Sequence, residues 1–577
     1  MTSKHAIAAL SALAALASAD LGYALQVSST APRPLAPEHA EITELPSLTL
    51  GPDGRRLIAY FTADQKLVLR DLDGGTVQTV YQTARGPNRP SRAAVLADGN
   101  RVHVLLRPKL GAAKSLEVRT SRDGGNTFAA PVRLDSRGQP LLPIYFAKGD
   151  DGLLAAMWLD ERKAARAYDL YVNVSADGGQ TFLPKDVRVS EGYTVSASST
   201  FLVRGREVWA FFMGATPHRG FVIASRSDDF GKTWQEQQVA ELTERGGPMA
   251  AVATAGKILV FWATGPSSLR GAVTSDGKTW KPLTLPAETR PFDIGTIDVA
   301  AGPAGQVTVA FFGRRDGVTR TTIHTIHSPD GGDTWEAMKS PAANPHAELT
   351  NAVAPRLVAH EDGTVVIAWH DYRAIRAGVY LNYSRDFGRN WQPDVVALDQ
   401  PGRFADSFPQ ILRGRDGRYT LAFLREDSDR GDRGKLFLSE VSLPPAAVTE
   451  QVDEPARLEK LKERVDTFWR GMIEDQWSRN YEMLDPWFRA RVTRTGYMST
   501  RGGLVYHEAE LANVDLKGTI ADIKVRVSLE MPEVEVLGKR HSMPKHTRFI
   551  EERWLWVADN WYREVRDSTS NTGLTPY

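Results

Sequence analysis

Ser121-Arg122-Asp123-Gly124-Gly125-Asn126-Thr127-Phe128 is the stretch that decides the fold, because the chain repeats it. It returns as Ser175-Ala176-Asp177-Gly178-Gly179-Gln180-Thr181-Phe182 and as Ser227-Asp228-Asp229-Phe230-Gly231-Lys232-Thr233-Trp234. Ser328-Pro329-Asp330-Gly331-Gly332-Asp333-Thr334-Trp335 and Ser384-Arg385-Asp386-Phe387-Gly388-Arg389-Asn390-Trp391 complete the full copies. A shortened copy runs Thr274-Ser275-Asp276-Gly277-Lys278-Thr279-Trp280, and a worn one lies at Asp71-Leu72-Asp73-Gly74-Gly75-Thr76. The period of about 50 residues is that of a solenoid or propeller. In each copy a Ser or Asp oxygen is placed to accept from turn amides, glycine supplies a positive φ, and the closing aromatic plugs the gap beneath the turn. Asp123, Asp177, Asp229, Asp276, Asp330 and Asp386 are therefore read as structural. No calcium-loop spacing surrounds them, and no metal site is expected.

Working outward, an apolar strand precedes each turn, as at 169–173 and 378–382, and another precedes that, as at 153–159 and 365–370. Upstream lies an innermost strand ending in a glycine turn, as at Gly99, Gly152, Gly363 and Gly417. Innermost strands start near Pro46, Ser91, Ile144, Ala197, Pro248, Ile297, Pro355 and Pro409, which predicts a mainly β, eight-bladed propeller over 41–443, with seven blades as the alternative. The last unit has three strands within 409–443, so Glu41 to Leu45 is expected to add the fourth and close the ring. The repeated phrase resembles the Asp-box of the sialidase superfamily and other BNR-repeat proteins, where it joins the third and fourth strands of each blade. Known sialidases have six blades, so the count departs from the enzymes.

Of the 577 residues, 42% are apolar and 24% charged, ordinary values for a folded globular chain. With 71 Lys and Arg against 70 Asp and Glu, the formal charge is +1, and no basic field exists to hold nucleic acid. The chain has no Cys, which removes disulfides, thiolate metal sites and a thiol nucleophile. No cofactor is expected. Lys4, an apolar run from Ala6 to Ala19 and the Ala17-Ser18-Ala19 triplet match a signal peptide over 1–19, with cleavage expected before Asp20. The run is too short for a membrane span, so a periplasmic or secreted protein with no stable membrane span after cleavage is expected. Residues 20–40, with Pro32, Pro34 and Pro37, read as a linker.

After a second linker at 444–455 the pattern changes. Leu458, Leu461, Val465, Phe468, Trp469 and Met472 fall at helical spacing, and strands are expected at 505–514, 520–530 and 547–557. Helices followed by strands predict an α+β domain over 456–566, ahead of a tail at 567–577. The segments at 468–472, 481–488 and 556–562 resemble exported NTF2-like domains, which implies a cone-shaped cavity. Its tryptophans are read as packing.

Antiparallel strands put the Asp-box turns on one face of a propeller, and the loops between strands two and three, with those between blades, on the other. Function is expected on the second face. Two second strands end alike there, Trp158-Leu159-Asp160-Glu161-Arg162 and Trp369-His370-Asp371-Tyr372-Arg373. Asp and Arg two apart suit an ion pair within the blade; the alternative is that Arg162 and Arg373 hold a ligand carboxylate. Aligned on their closing glycines, the innermost strands carry Ser47, Arg92, Tyr145, Ser198, Met249, Asp298, Arg356 and Gln410. Unlike polar groups at one level of a ring are what a ligand site looks like, which singles out Arg92, Asp298, Arg356 and Gln410. A retaining sialidase needs an Arg triad, a Tyr–Glu nucleophile pair and an Asp acid, with an Arg-Ile-Pro-like tripeptide near the first blade; the nearest match is Pro90-Ser91-Arg92. No residue is assigned a catalytic role. The expected function is recognition of a glycan or protein partner, with a sialidase-type glycoside hydrolase as the alternative.

Overall fold

The structure is a computed structural model. It describes residues 27–35 and 45–565, except 63, 65, 83–92, 111–112, 137, 165–166, 245, 266–267, 291–292, 315–319, 343–350, 375, 393–395, 400–403, 428–431, 445–453, 486–487, 490–491, 500–502, 518–519, 537–538 and 558–559. The segments read as the signal peptide and C-terminal tail lie outside the described residues, as does Arg92.

Between Ser28 and Ser442 the chain folds into a β-propeller built from consecutive antiparallel sheets. Their innermost strands are Ser47–Leu50, Ala93–Asp98, Pro140–Lys148, Thr194–Arg204, Gly246–Ala253, Asp293–Ala301, Ala352–Ala359 and Ala405–Arg413, here numbered sheets one to eight. Each innermost strand touches the next in chain order, and the eighth touches the first, so the ring is closed. The sixth sheet has three strands, with an isolated bridge between Thr325 and Lys339 in the outermost position.

The second strands explain why these sequences form sheets between sheets. In Val365–Ala374, residues 365–371 are all buried, because successive side chains point to opposite faces and both faces are covered. Val366 and Ala368 pack towards sheet eight, while Ile367 and Trp369 pack towards sheet six. The same division gives every seam its own apolar cluster. Burying one such Val, Leu or Ile stabilises by about 1.5–3 kcal/mol, so no single seam needs a staple.

The repeated turns are closed by side-chain hydrogen bonds. In the first, Ser121 Oγ donates to Asp123 Oδ1 at 2.7 Å and accepts from Gly125 N at 2.7 Å, while Thr127 N and Oγ1 donate to the Asp123 carboxylate at 2.9 and 2.6 Å. Bonds from Thr127 and Ser121 hold the Asp123 carboxyl down to about 2. The closing aromatics Phe128, Phe182, Trp234, Trp280, Trp335 and Trp391 each pack into the seam with the preceding sheet. The positive φ is not always supplied by glycine: Phe230 and Phe387 adopt 61° and 55°. Packing of Phe387 on Gly302 of the sixth sheet offsets part of that strain.

Ring closure differs from the expectation. Residues 41–44 lie outside the described residues, and the outer strand of sheet eight, Asp432–Ser442, pairs instead with Ser28–Ser29 and Arg33–Pro34. The stretch read as a linker thus supplies the closing pairing, and Leu35, 2% exposed, enters the seam between sheets eight and one. Prolines are tolerated because this is an edge strand, where a missing N–H costs nothing to the ladder.

From Glu454 to Ile473 a helix follows, then short helical turns and an antiparallel sheet of Val505–Lys517, Ile520–Val536, Lys539–Val557 and Asn560–Arg563. The helix buries Leu461, Val465, Phe468 and Trp469 against Ile523, Val525, Trp554 and Trp561. Trp469, Trp554, Trp556 and Trp561 are core: Trp554 and Trp561 are fully buried, and Trp554 Nε1 donates to Glu552 Oε2 at 3.0 Å. No helix among the described residues is long and apolar enough to cross a membrane.

Candidate functional site

Cross-strand register decides which residues of the innermost strands share a level. Ala310 and Ala368 each lie three residues past the partner of the serine that opens a repeated turn, Val307 opposite Ser328 and Val365 opposite Ser384. Opposite them stand Asp298 and Arg356, and Gln410 stands opposite Ala422 at the matching place in sheet eight. Three of the expected residues therefore do fall on adjacent strands at one level. In sheets two, four and five the same level is taken by Ala94, Thr200 and Ala250, so the glycine alignment that offered Arg92, Ser198 and Met249 is corrected there.

The Asp298 carboxylate is fixed from both sides: Val299 N donates to Oδ1 at 3.0 Å, and Leu357 N of the neighbouring strand donates to Oδ2 at 2.9 Å. Burial pushes its pKa up, against the opposing charge of Arg356. Arg356 is half-buried, its side chain makes no hydrogen bond with the described residues, and its charge acts on Asp298. Gln410 Nε2 donates to the carbonyl of Pro409 at 3.1 Å, leaving its side-chain oxygen facing away from that bond. Tyr145, at this level in sheet three, and Ser47, one residue off it in sheet one, are engaged in the seams. Tyr145 Oη donates to the Ser199 carbonyl, and Ser47 Oγ accepts from Val95 N at 3.1 Å.

Arg162 and Arg373 are engaged as well, so their alternative role as ligand holders is corrected. Arg162 Nη2 donates to Asp160 at 2.9 Å and Asp186 at 2.5 Å, and its guanidinium lies 3.6 Å from the Tyr171 ring centre. Arg373, 6% exposed, donates to Asp371 through Nε at 2.9 Å and Nη2 at 2.6 Å, and stacks over Tyr380. Each Asp also accepts backbone N–H groups of its loop, Asn351 and Arg373 in the case of Asp371. These are blade-level ion pairs. A third pair was missed: Arg425 donates to Asp406 at 2.7 and 2.6 Å and to Asp399 at 2.7 Å.

Beside the level of three lies an aromatic group the sequence reasoning also missed. The innermost strands of sheets three to eight each carry a register shift near their loop-face end. In sheets seven and eight that bulge puts non-glycine residues in the left-handed region, Ala354 at φ 55° and Phe408 at φ 54°, each two residues before Arg356 and Gln410. Phe408 is 45% exposed, its ring is 5.0 Å from that of His370, and its N–H donates to His370 Nδ1 at 3.3 Å. Burial of His370 pushes its pKa down to about 4, so near neutrality the imidazole is uncharged and able to accept. A polar triad with an exposed aromatic face beside it suits a ligand that has both hydrogen-bonding groups and an apolar face.

No family model and no curated protein matches the chain. Among solved structures it is similar to the WD40 domain of SCAP from fission yeast, at 13% identity and a TM-score of 0.43, over 72% of this chain and 98% of that one. A protein of unknown function from Dyadobacter fermentans shares 14% identity at a TM-score of 0.36, over 72% and 99% of the two chains. NanB sialidase from Streptococcus pneumoniae shares 10% identity at a TM-score of 0.33, over 72% and 94%.

Proposed function

We propose that the chain is an exported, periplasmic or secreted, glycan-binding protein. In this reading residues 28–443 are an eight-bladed Asp-box propeller of sialidase-superfamily type, and 456–566 an NTF2-like module that adds a second binding surface. The observation that carries the reading is the run Asp298, Arg356, Gln410 on three adjacent innermost strands, with the Arg356 side chain making no hydrogen bond among the described residues while Arg162, Arg373 and Arg425 are all paired. Binding is favoured over hydrolysis for a chemical reason. A retaining glycosidase places two carboxyl groups about 5–5.5 Å apart, and a sialidase replaces one with an activated tyrosine. Of the carboxylates on the three adjacent strands, Asp293 is paired with Arg314 and Asp406 with Arg425, which leaves Asp298, and the Tyr145 hydroxyl is already bonded across a seam.

The test is a binding titration of the purified protein with sialyllactose and with arabinobiose, beside an Arg356→Gln variant. Losing a charge-assisted hydrogen bond costs about 1.5–3 kcal/mol, so affinity is expected to fall about 10- to 100-fold. Release of nitrophenol from aryl sialosides and arabinosides is expected to stay at background. Turnover that vanishes in Arg356→Gln would hand the site to the hydrolase, and equal affinity of wild type and variant would remove Arg356 from it.

A further inference from the structure

On the opposite face, a cavity of about 260 Å³ opens between sheets seven and eight. Arg385 of the seventh Asp-box, Arg413 at the end of an innermost strand, Arg418 in the following turn, Tyr419 and Pro444 line it. Its position is where the chain leaves the ring, at the turn end of the innermost strand that carries Gln410, three residues beyond it.

The cationic donors here are only partly used. Arg413 Nη2 donates to Asp362 Oδ2 at 2.9 Å, but its Nη1 is buried and has no partner among the described residues. Arg385 donates to Thr364 Oγ1 at 3.0 Å and to the Pro444 carbonyl. Arg418 Nε donates to Asp416 Oδ2 at 2.7 Å. Three guanidinium groups thus face two carboxylates, Asp362 and Asp416, and one positive charge is left over. Tyr419 is 1% exposed, and its hydroxyl is also buried without a partner among the described residues. Burial raises the Tyr419 pKa, so the hydroxyl keeps its proton and can donate.

Buried donors are nearly always satisfied in folded proteins, and leaving one unmade forfeits its full hydration. Two such donors, next to a cavity with a surplus positive charge, call for an acceptor that is negative and compact. The fork of a guanidinium matches carboxylate and phosphate oxygens. We propose that this cavity between sheets seven and eight binds a small oxyanion, carboxylate or phosphate, through Arg385, Arg413 and Arg418, with the Tyr419 hydroxyl donating.

The experiment is a titration of the full chain with inorganic phosphate and, separately, acetate, at constant ionic strength, read by calorimetry and by melting temperature. Saturable binding is expected for at least one of the two anions, and which one binds names the oxyanion. Arg413→Gln is expected to weaken it at least tenfold. Arg219→Gln, at an exposed position elsewhere on the ring, is expected to leave it unchanged. Tyr419→Phe is expected to keep or raise the anion-free melting temperature, since it deletes an unpartnered hydroxyl, while reducing the anion-induced rise. If Arg413→Gln does not fold, Tyr419→Phe and Arg418→Gln carry the same comparison. No saturable binding of either anion, or equal binding by wild type and all three pocket variants, would overturn the proposal, whatever the outcome for glycans on the other face.

Discussion

Asp371→Ala separates a structural ion pair from a ligand-holding arginine. In the native fold the Asp371 carboxylate is fully buried and accepts four bonds, from Arg373 Nε and Nη2 and from the N–H groups of Asn351 and Arg373. Removing it leaves the Arg373 guanidinium, itself 6% exposed, without its counter-charge and strands two amides. Breaking one half of a buried pair costs about 3–5 kcal/mol, because the surviving charge is not returned to water. Chemical denaturation should therefore show a loss of about 3 kcal/mol or more with the slope unchanged. Replacing the pair by Asp371→Ala with Arg373→Leu should recover part of that loss. Arg356→Leu should cost less by the same measurement, since it breaks no hydrogen bond among the described residues and removes only the charge opposite Asp298. A loss below about 1 kcal/mol for Asp371→Ala would refute the assignment and return Arg373 to the pool of ligand-binding residues.

Asp330→Ala removes acceptors for Ser328 Oγ, Thr334 N and Thr334 Oγ1, at 2.9, 2.8 and 2.6 Å. Loss of a cap-like turn of this kind costs about 1 kcal/mol, so the melting temperature should drop by a few degrees while glycan binding persists; an unchanged melting temperature would contradict the staple. His103 and His370 are buried and both pushed down to about 4 from 6.5. A base with a depressed folded pKa binds fewer protons folded than unfolded, so its contribution is complete above the unfolded value of about 6.5 and is lost as the pH falls towards the folded one. Stability measured from pH 7 to about pH 5 should fall by about 2 kcal/mol per histidine, and substitution of either by Gln should flatten the profile.

The repeated phrase was legible because its chemistry is local: Ser328, Asp330 and Thr334 bond one another within a few residues, and no distant contact is needed to define the turn. The second strands were legible because both faces are covered, leaving continuous apolar runs such as Val208 to Met213. Ring closure was not, since Ser28 pairs with Ser442 and nothing in a proline-bearing edge segment announces a partner that far along the chain. Aligning innermost strands on their glycines slipped for a geometric reason. The turn is two residues in sheet two, where Asp98 pairs with Arg101, and in sheet four, where Arg204 pairs with Glu207. It is five residues in sheets three and seven, where Lys148 pairs with Leu154 and Ala359 with Val365. Sheets six to eight kept Asp298, Arg356 and Gln410 in step because their level survives the count. Arg425 escaped notice because its carboxylates, Asp406 and Asp399, lie 19 and 26 residues upstream, whereas Asp160 and Asp371 stand two residues before Arg162 and Arg373.

Bulges link this geometry to the proposed site. A bulge inserts a residue, bends the strand and re-aims the side chains beyond it. Six innermost strands use one at the loop-face end, and in sheet six it falls at Gly295, where a Cβ would collide with the Phe312 ring. Sheets seven and eight use Ala354 and Phe408 in the left-handed region instead, at a cost of order 1–3 kcal/mol each. For Phe408 part of that strain is offset by the ring contact with His370 and by the hydrogen bond from its N–H to the neutral imidazole. Those two interactions hold the backbone in place but do not cover the ring, which stays 45% exposed. Strain retained at the two strands that carry Arg356 and Gln410, with an aromatic face left open beside them, is the pattern of a site whose shape is kept at the expense of local stability.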